Sequence, residues 1–273
     1  MTTDDKTLLC IGGANVDRKL RLLATPHAGS SNPAESSDHP GGVARNVADN
    51  LTRLGLPTQL LTVVGDDDWG RHLLAGIDPS LAKVLTGKTS DSYTAVLDAQ
   101  GQLLIGLAAM PLVERLAPEL LPQALPAFTM FDLNLRPDTI AALLSRANGS
   151  RLLAVAVSEP KMARLPHTLQ GLHALLLNEG ELAHTEGLAA LHQRGVQHIA
   201  VTRGARGVLL SSAGEVPVEL PAVDVKVVDV TGAGDAFAAG VCAALARGDD
   251  FTSACRYGLT LSARVLQSTS STL

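Results

Sequence analysis

The chain has 273 residues with a formal net charge of −5, and 46% of them are hydrophobic while only 3% are aromatic, so its core must be built from Leu, Val and Ala rather than from rings. Without a long basic run, this balance argues against a nucleic-acid groove or an anionic-membrane patch and points to a small polar ligand. The length suits one large α/β domain or two small ones. Cys10, Cys242 and Cys255 show no Cys-x-x-Cys spacing and read as structural thiols. Met1 to Lys6 lacks the basic and apolar regions of a secretory leader, and no apolar stretch is long enough to span a bilayer; a cytoplasmic chain is expected.

Leu8 to Ile11 reads as a buried strand, followed by Gly12-Gly13-Ala14-Asn15-Val16-Asp17 at the carboxyl end where open α/β sheets meet ligands. Asp17 is either an acceptor for two ribose hydroxyls or a surface turn residue. Arg18 to Pro40 is a polar excursion with strand character at Lys19 to Leu23, either a lid or a loop. Val43, Val47, Leu51 and Leu54 recur at helical spacing and Gly55 ends the helix. Gly41 and Gly42 ahead of it let a ligand approach the backbone or merely admit the helix, and Asn46 lies one turn in. Gln59 to Val64 is a strand, and Gly65 to Gly70 a capped turn whose three aspartates are assigned no metal.

Ala82 to Thr89 fits a loosened phosphate-binding P-loop pattern. That loop needs a helix after it, and Tyr93 to Leu107 reads as a β-hairpin turning at Ala99 to Gly101, so the match is discarded. A helix is expected near Leu112 to Leu125, and Met130 to Pro137 is a strand end carrying polar residues. Arg151 to Val157 and Ala174 to Leu177 are short apolar strands at βαβ spacing. Asn178-Glu179-Gly180-Glu181 closes the second, with Glu181 locally a helix-start carboxylate. Ile199 to Leu210 is a strand, a Gly-bearing turn and a strand, where Arg203 or Arg206 would contact phosphate or face solvent.

From Val225 a β-rich run leads into Thr231-Gly232-Ala233-Gly234-Asp235 and a small-residue helix from about Ala236 to Arg247. Glycines that take positive φ, converging N–H groups and a helix N-terminus make an anion loop. Asp235 in that turn either stabilises the helix start or accepts a proton from an attacking hydroxyl. A last helix runs from Thr252 to Leu266, and the Ser/Thr-rich tail from Gln267 is expected to fray.

Asp229-Val230-Thr231-Gly232-Ala233-Gly234-Asp235 resembles the C-terminal signature of the ribokinase-like (PfkB) family of sugar and nucleoside kinases. Gly41-Gly42-Val43-Ala44-Arg45-Asn46 resembles its N-terminal signature, and the likeness runs from Gly12 to Leu266. The resemblance implies one domain over residues 1–273, a ribokinase-like three-layer α/β/α fold with a central, mostly parallel sheet and a small β lid from about 18–37 and 88–107. It implies Asp235 as catalytic base, with Gly232, Ala233 and Gly234 as the anion hole. Asn15, Asp17, Gly41, Gly42 and Asn46 would hold the acceptor, and Asn32 in the lid would read its base. ATP would lie on Asn178, Thr202, Gly204, Gly207 and Thr231, with Mg²⁺ organised through water by Glu181 and a monovalent cation such as K⁺ at Asp229.

Within the family, Gly12 to Arg18, Ser31-Asn32-Pro33 and Gly41 to Asn46 look most like the pseudouridine-phosphorylating members, which implies transfer to the 5′-hydroxyl of pseudouridine. Phe131 to Pro137 looks closer to fructokinase-type members. Another nucleoside or a ribose- or fructose-type sugar is the alternative acceptor, and a phosphotransfer-dead sensor the alternative class. The chain ends soon after Leu266, where relatives commonly continue, which bears on the adenine pocket and the cation loop. An exposed lid edge would pair with a second copy in a homodimer or close over ligand.

Overall fold

The computed structural model describes residues 7–268 and 270–273. The chain opens with β1 (Leu8–Ile11), then forms β2 (Asn15–Leu22) and β3 (Ala34–Gly41). It continues through α1 (Val43–Arg53), β4 (Thr58–Leu61), β5 (Val63–Gly65), α2 (Asp68–Leu74) and β6 (Lys83–Leu85). A hairpin of β7 (Ser92–Leu97) and β8 (Leu103–Ala109) follows. After it come β9 (Phe128–Asp132), α3 (Pro137–Ser145), β10 (Arg151–Val155), β11 (Leu172–Asn178), α4 (Glu179–Ala183) and α5 (Leu188–Gln193). The chain closes with β12 (His198–Thr202), β13 (Val208–Ser212), β14 (Val218–Leu220), α6 (Ala233–Ala246) and α7 (Phe251–Leu266).

Among the described residues the main sheet has the order β14-β13-β12-β11-β10-β9-β1-β4. Its strands from β4 to β12 are parallel, and β13 runs against both neighbours. Helices cover both faces, so the parallel strands read as continuous apolar runs whose alternate residues serve opposite layers. Cys10, Met130, Leu153, Leu176 and Ala200 pack with α1, α6 and α7. Leu9, Ile11, Phe131, Ala154, Leu175 and Val201 pack on the other side with α3 and α5. Phe131 is fully buried, a removal from water that contributes ~2–3 kcal/mol. The small residues of α6 have a packing reason, since Gly240 faces Gly258 and any side chain there would strike the α7 backbone. This is the three-layer α/β/α architecture expected.

A separate four-stranded sheet, β3-β2-β7-β8, is built from the two excursions out of the main sheet. β2 and β7 are parallel at its centre, and Leu103, Leu104, Ile105 and Leu107 of β8 stand exposed. The strands span 15–22, 34–41, 92–97 and 103–109, slightly beyond the outer bounds read from the sequence and without residues 88–91.

Three local expectations fail. Residues 112–125 form two single 3-10 turns, Val113–Arg115 and Pro118–Leu120, instead of a helix, because Pro118 and Pro122 remove backbone donors. Leu112, Val113, Leu116 and Leu121 are buried all the same, and Asp91 accepts the Leu112 and Val113 N–H groups, each at 2.9 Å. The β-rich run from Val225 is irregular and Val227, Val228 and Val230 are exposed; it joins no ladder among the described residues, and the Val228 N–H donates instead to the Leu266 carbonyl at 2.7 Å. The tail is docked: the Leu273 N–H donates to Asn50 Oδ1 at 2.8 Å, Arg53 donates to the Leu273 carbonyl at 2.8 Å, and Thr272 is buried. No helix of the described residues is long and apolar enough to cross a membrane.

Candidate active site

The carboxyl ends of β1, β9, β10, β11 and β12 lie along one edge of the main sheet, and the predicted site residues gather there. A carboxylate that sequence reasoning left without a role organises this edge. Asp132, fully buried at the end of β9, accepts the N–H groups of Gly13 at 2.9 Å and Ala44 at 3.0 Å through Oδ2, and that of Asn134 at 2.9 Å through Oδ1. Gly42, which precedes α1, has no side chain with which to cap it, so Asp132 supplies the cap from across the sheet. One side chain thereby sets the β1 loop, the β9 end and the start of α1 together.

The glycine pair before α1 is dictated by close approach. A side chain at Gly41 would collide with the Asp17 carboxyl, and Gly42 at φ 99° sits against the Gly13 backbone. This clearance brings Asp17 and α1 to one cavity.

At the start of α6, Gly232 takes the left-handed conformation (φ 80°), with the Ser271 backbone where a Cβ would stand. Among the described residues the Gly234 and Asp235 N–H groups find no partner, and the space beside Gly234 is open. Unpartnered donors at a helix N-terminus attract negative charge. Asp235 projects from the same turn and its Oδ2 accepts from Asn46 Nδ2 of α1 at 2.7 Å, across 189 residues of sequence. Burial pushes the Asp235 carboxyl up to about 7; the Asn46 amide opposes this, while the Asp17 and Asp132 charges add to it. A carboxyl poised near neutrality beside anion-attracting amides can take a proton from an alcohol.

Asn15, Asp17, Gly42, Asn46, Thr231, Gly232 and Asp235 line one cavity of about 290 Å³. Asn15 Nδ2 donates to Asp17 Oδ1 at 2.7 Å, and burial raises the Asp17 carboxyl against the pull of Asn15 and Lys19. Tyr93 and Ala108 of the small sheet form part of the wall, with Met110 just after β8. Gly41 adjoins it through Asp17, while Ala233 and Gly234 lie outside its lining. Asn32 corrects the sequence expectation. It is half-buried and outside the cavity lining; it accepts from the His27 N–H and donates to the His27 and Ser30 carbonyls, so its amide closes its own turn.

Of the residues expected to hold nucleotide, Thr231 lines this cavity, while Asn178, Thr202, Gly204 and Gly207 sit apart from it, farther along the same edge. Asn178 and Thr202 are register partners at the ends of β11 and β12. Asn178 and Glu181 form a reciprocal capping box at the start of α4, so one Glu181 oxygen is taken by the Asn178 N–H. Burial raises the Glu181 carboxyl, the Asn178 N–H lowers it, and the nearby Glu159 raises it further. Among the described residues no three His, Cys, Asp or Glu side chains form a metal cluster. Glu181 with Glu159 suits an ion held mainly by phosphate oxygens and water, the usual habit of Mg²⁺. Gly204 and Gly207 shape the β12–β13 turn, where Gly207 is buried beneath the Leu220 carbonyl. Arg203 pairs with Glu219 at 3.0 Å and Arg206 with Glu179.

Asp229 and Thr231 meet a side chain that the sequence did not announce. Lys19 Nζ of β2 donates to Asp229 Oδ2 at 2.8 Å and to Thr231 Oγ1 at 2.9 Å. The other Asp229 oxygen accepts the Thr231 N–H at 2.8 Å and hydroxyl at 2.7 Å. Burial pulls the Asp229 carboxyl up, but Lys19 and Thr231 outweigh it and hold it below the usual range. Lys161 is a second unannounced residue. It lines the cavity, bonds to Asn134, and has its ammonium lowered by burial against the raising charge of Asp132. Its surroundings, Glu159-Pro160-Lys161-Met162, carry no spacing that could have flagged it.

The chain is similar to known kinases over nearly its whole length. The chain is 28% identical over 282 residues to the pseudouridine kinase of Escherichia coli K12, covering 95% of this chain and 90% of that protein. It is 27% identical over 284 residues to the guanosine-inosine kinase of Exiguobacterium acetylicum, covering 95% and 94%. A solved carbohydrate kinase from Agrobacterium tumefaciens superposes with a TM-score of 0.82 at 32% identity, covering 98% of this chain and 92% of that one. The model of the pfkB family carbohydrate kinases matches residues 5–273, and the chain belongs to that family.

Proposed function

We propose that this kinase transfers the γ-phosphoryl group of ATP to the 5′-hydroxyl of pseudouridine. The observation that carries the reading is the Asp235–Asn46 pair at the mouth of the anion-attracting turn, facing Asp17 and Asn15 across one cavity. Asp17 and Asn46 hold the ribose hydroxyls, with Asn15 orienting the Asp17 carboxylate. The 5′-hydroxyl then lies by Asp235, whose orientation Asn46 sets. As the new O–P bond forms and the β–γ bridging bond breaks, Asp235 accepts the hydroxyl proton and ADP departs. The unpartnered amides of Gly234 and Asp235 stabilise the charge on the transferring oxygens. Mg²⁺, held beside Glu181 through water, neutralises the phosphate charge when bound. Tyr93, Ala108 and Met110 cover the acceptor and keep water from competing for the phosphoryl group.

The acceptor assignment is supported by the likeness to the E. coli pseudouridine kinase and by the Gly12 to Arg18 and Gly41 to Asn46 segments, which look most like the pseudouridine-phosphorylating members. ADP release with Mg²⁺-ATP against pseudouridine, uridine, guanosine, inosine, adenosine, ribose and fructose tests it. Pseudouridine is expected to give the highest kcat/KM. A clear preference for guanosine or inosine, the acceptors named in the Exiguobacterium relative, or for a free sugar overturns the acceptor and keeps the chemistry. Nucleoside binding without any turnover overturns the kinase reading in favour of a sensor.

A further inference from the structure

The residues at Asp229 do not fit the K⁺ ion that the family resemblance implies. A metal ion at this carboxylate would have to displace or tolerate the cation and the donors that already hold its oxygens. Here one Asp229 oxygen receives two bonds from Thr231 and the other receives the Lys19 ammonium. The same ammonium also bonds Thr231 Oγ1. A monovalent ion would be in contact with a like charge, and the two cations would share the single negative charge of Asp229.

Lys19 is placed there by the fold. Side chains on a strand alternate, so Asn15, Asp17, Lys19 and Arg21 of β2 share one face, and Asn15 and Asp17 already line the acceptor cavity. Lys19 and Thr231 line adjoining cavities on both sides of the contact, so the ammonium sits at the junction of the small sheet and the loop leading into α6. The side chains of Lys19 and Asp229 are 31% and 27% exposed, enough water to keep the pair charged and enough burial to make it persist.

We propose that Lys19 is a built-in cation, its ammonium standing where a monovalent metal ion would bind, so that phosphoryl transfer in this protein is independent of K⁺. The inference rests on reading residues 229–235 as the anion loop. Lys19 acts here as a positioning residue: it fixes Asp229, Asp229 fixes the Thr231 N–H and hydroxyl, and the turn beginning at Gly232 is thereby held. Unlike a metal ion, the lysine also ties the loop to β2 and hence to the acceptor-binding strand.

The test compares wild type with Lys19→Ala in potassium and choline chloride at equal ionic strength, by thermal melting and by ADP release with the best acceptor. Wild type is expected to melt at the same temperature and turn over at the same rate in both salts. Lys19→Ala opens the site: turnover in choline should fall about tenfold. In saturating K⁺ its melting temperature should rise by ~2–4 °C and its kcat recover, while the acceptor KM stays raised because the tie to β2 is gone. A saturable K⁺ stabilisation or activation of wild type overturns the proposal, and so does a Lys19→Ala variant that responds to K⁺ in neither measurement. Melting needs neither ATP nor acceptor, so it decides the proposal even where every acceptor on the panel fails.

Discussion

Asp235→Asn separates the chemistry of the site from its stability, because the two effects have opposite signs. The carboxyl is raised from 3.8 to about 7 by burial, with the neighbouring Asp17 and Asp132 charges adding to the effect. A shift of that size corresponds to about 4 kcal/mol of cost for holding the charged form, and solvent at the cavity mouth reduces it to ~1–2 kcal/mol. The folded protein binds the proton more tightly than the unfolded chain, so this carboxyl favours folding below about pH 4 and the contribution is lost as pH rises through 7. An amide has no proton to lose and still accepts the Asn46 hydrogen bond, so the variant should gain stability over wild type progressively from about pH 4 to 7 and keep that gain above it. Turnover should drop by about 10²–10⁴, the usual contribution of a general base. Urea unfolding across that pH range and ADP release at saturating Mg²⁺-ATP check the two arms. Retained turnover refutes the base, and a stability gain that does not grow with pH refutes the buried, proton-holding carboxyl.

Two further substitutions probe the surroundings. Asp17→Asn should lower kcat/KM for the acceptor by about 10–100-fold through one lost charge-assisted hydrogen bond, leave the KM for ATP little changed, and move the acid limb of the pH–rate profile to lower pH, because the Asp17 charge helps to raise Asp235. An unmoved limb would contradict the Asp17–Asp235 coupling. Gly232→Ala should cost at least ~1–2 kcal/mol, since the turn holds φ at 80° and the Ser271 backbone occupies the Cβ position, and kcat should fall with it; an unchanged melting temperature would show that the turn relaxes freely.

The apolar strands of the sheet, the boundaries of α1 and α7, and the family signatures could all be read from the sequence because each is encoded among near neighbours, whereas α6 begins at Ala233, three residues ahead of the start read for it. Apolar strands need only their own residues to declare burial on both faces, and Gly232 to Asp235 declare a turn into a helix through their own conformational preferences. Segments whose outcome depends on a partner were misread. The Val225 run has strand propensity but its Val228 N–H is taken by the Leu266 carbonyl, Leu112 to Leu125 has helical periodicity interrupted by prolines, and the tail packs because Asn50 and Arg53 lie beneath its end. Asn32 shows the same limit at a single residue, where a local turn captured an amide that looked free to read a base.

What only the tertiary structure decided are the pairings across long stretches of chain. Asn46 meets Asp235, Asp132 meets Gly13 and Ala44, and Lys19 meets Asp229. Each joins residues whose individual preferences say nothing of the other, so their contact, and the charge states that follow from it, exist only once the sheet has brought its strand ends to one edge.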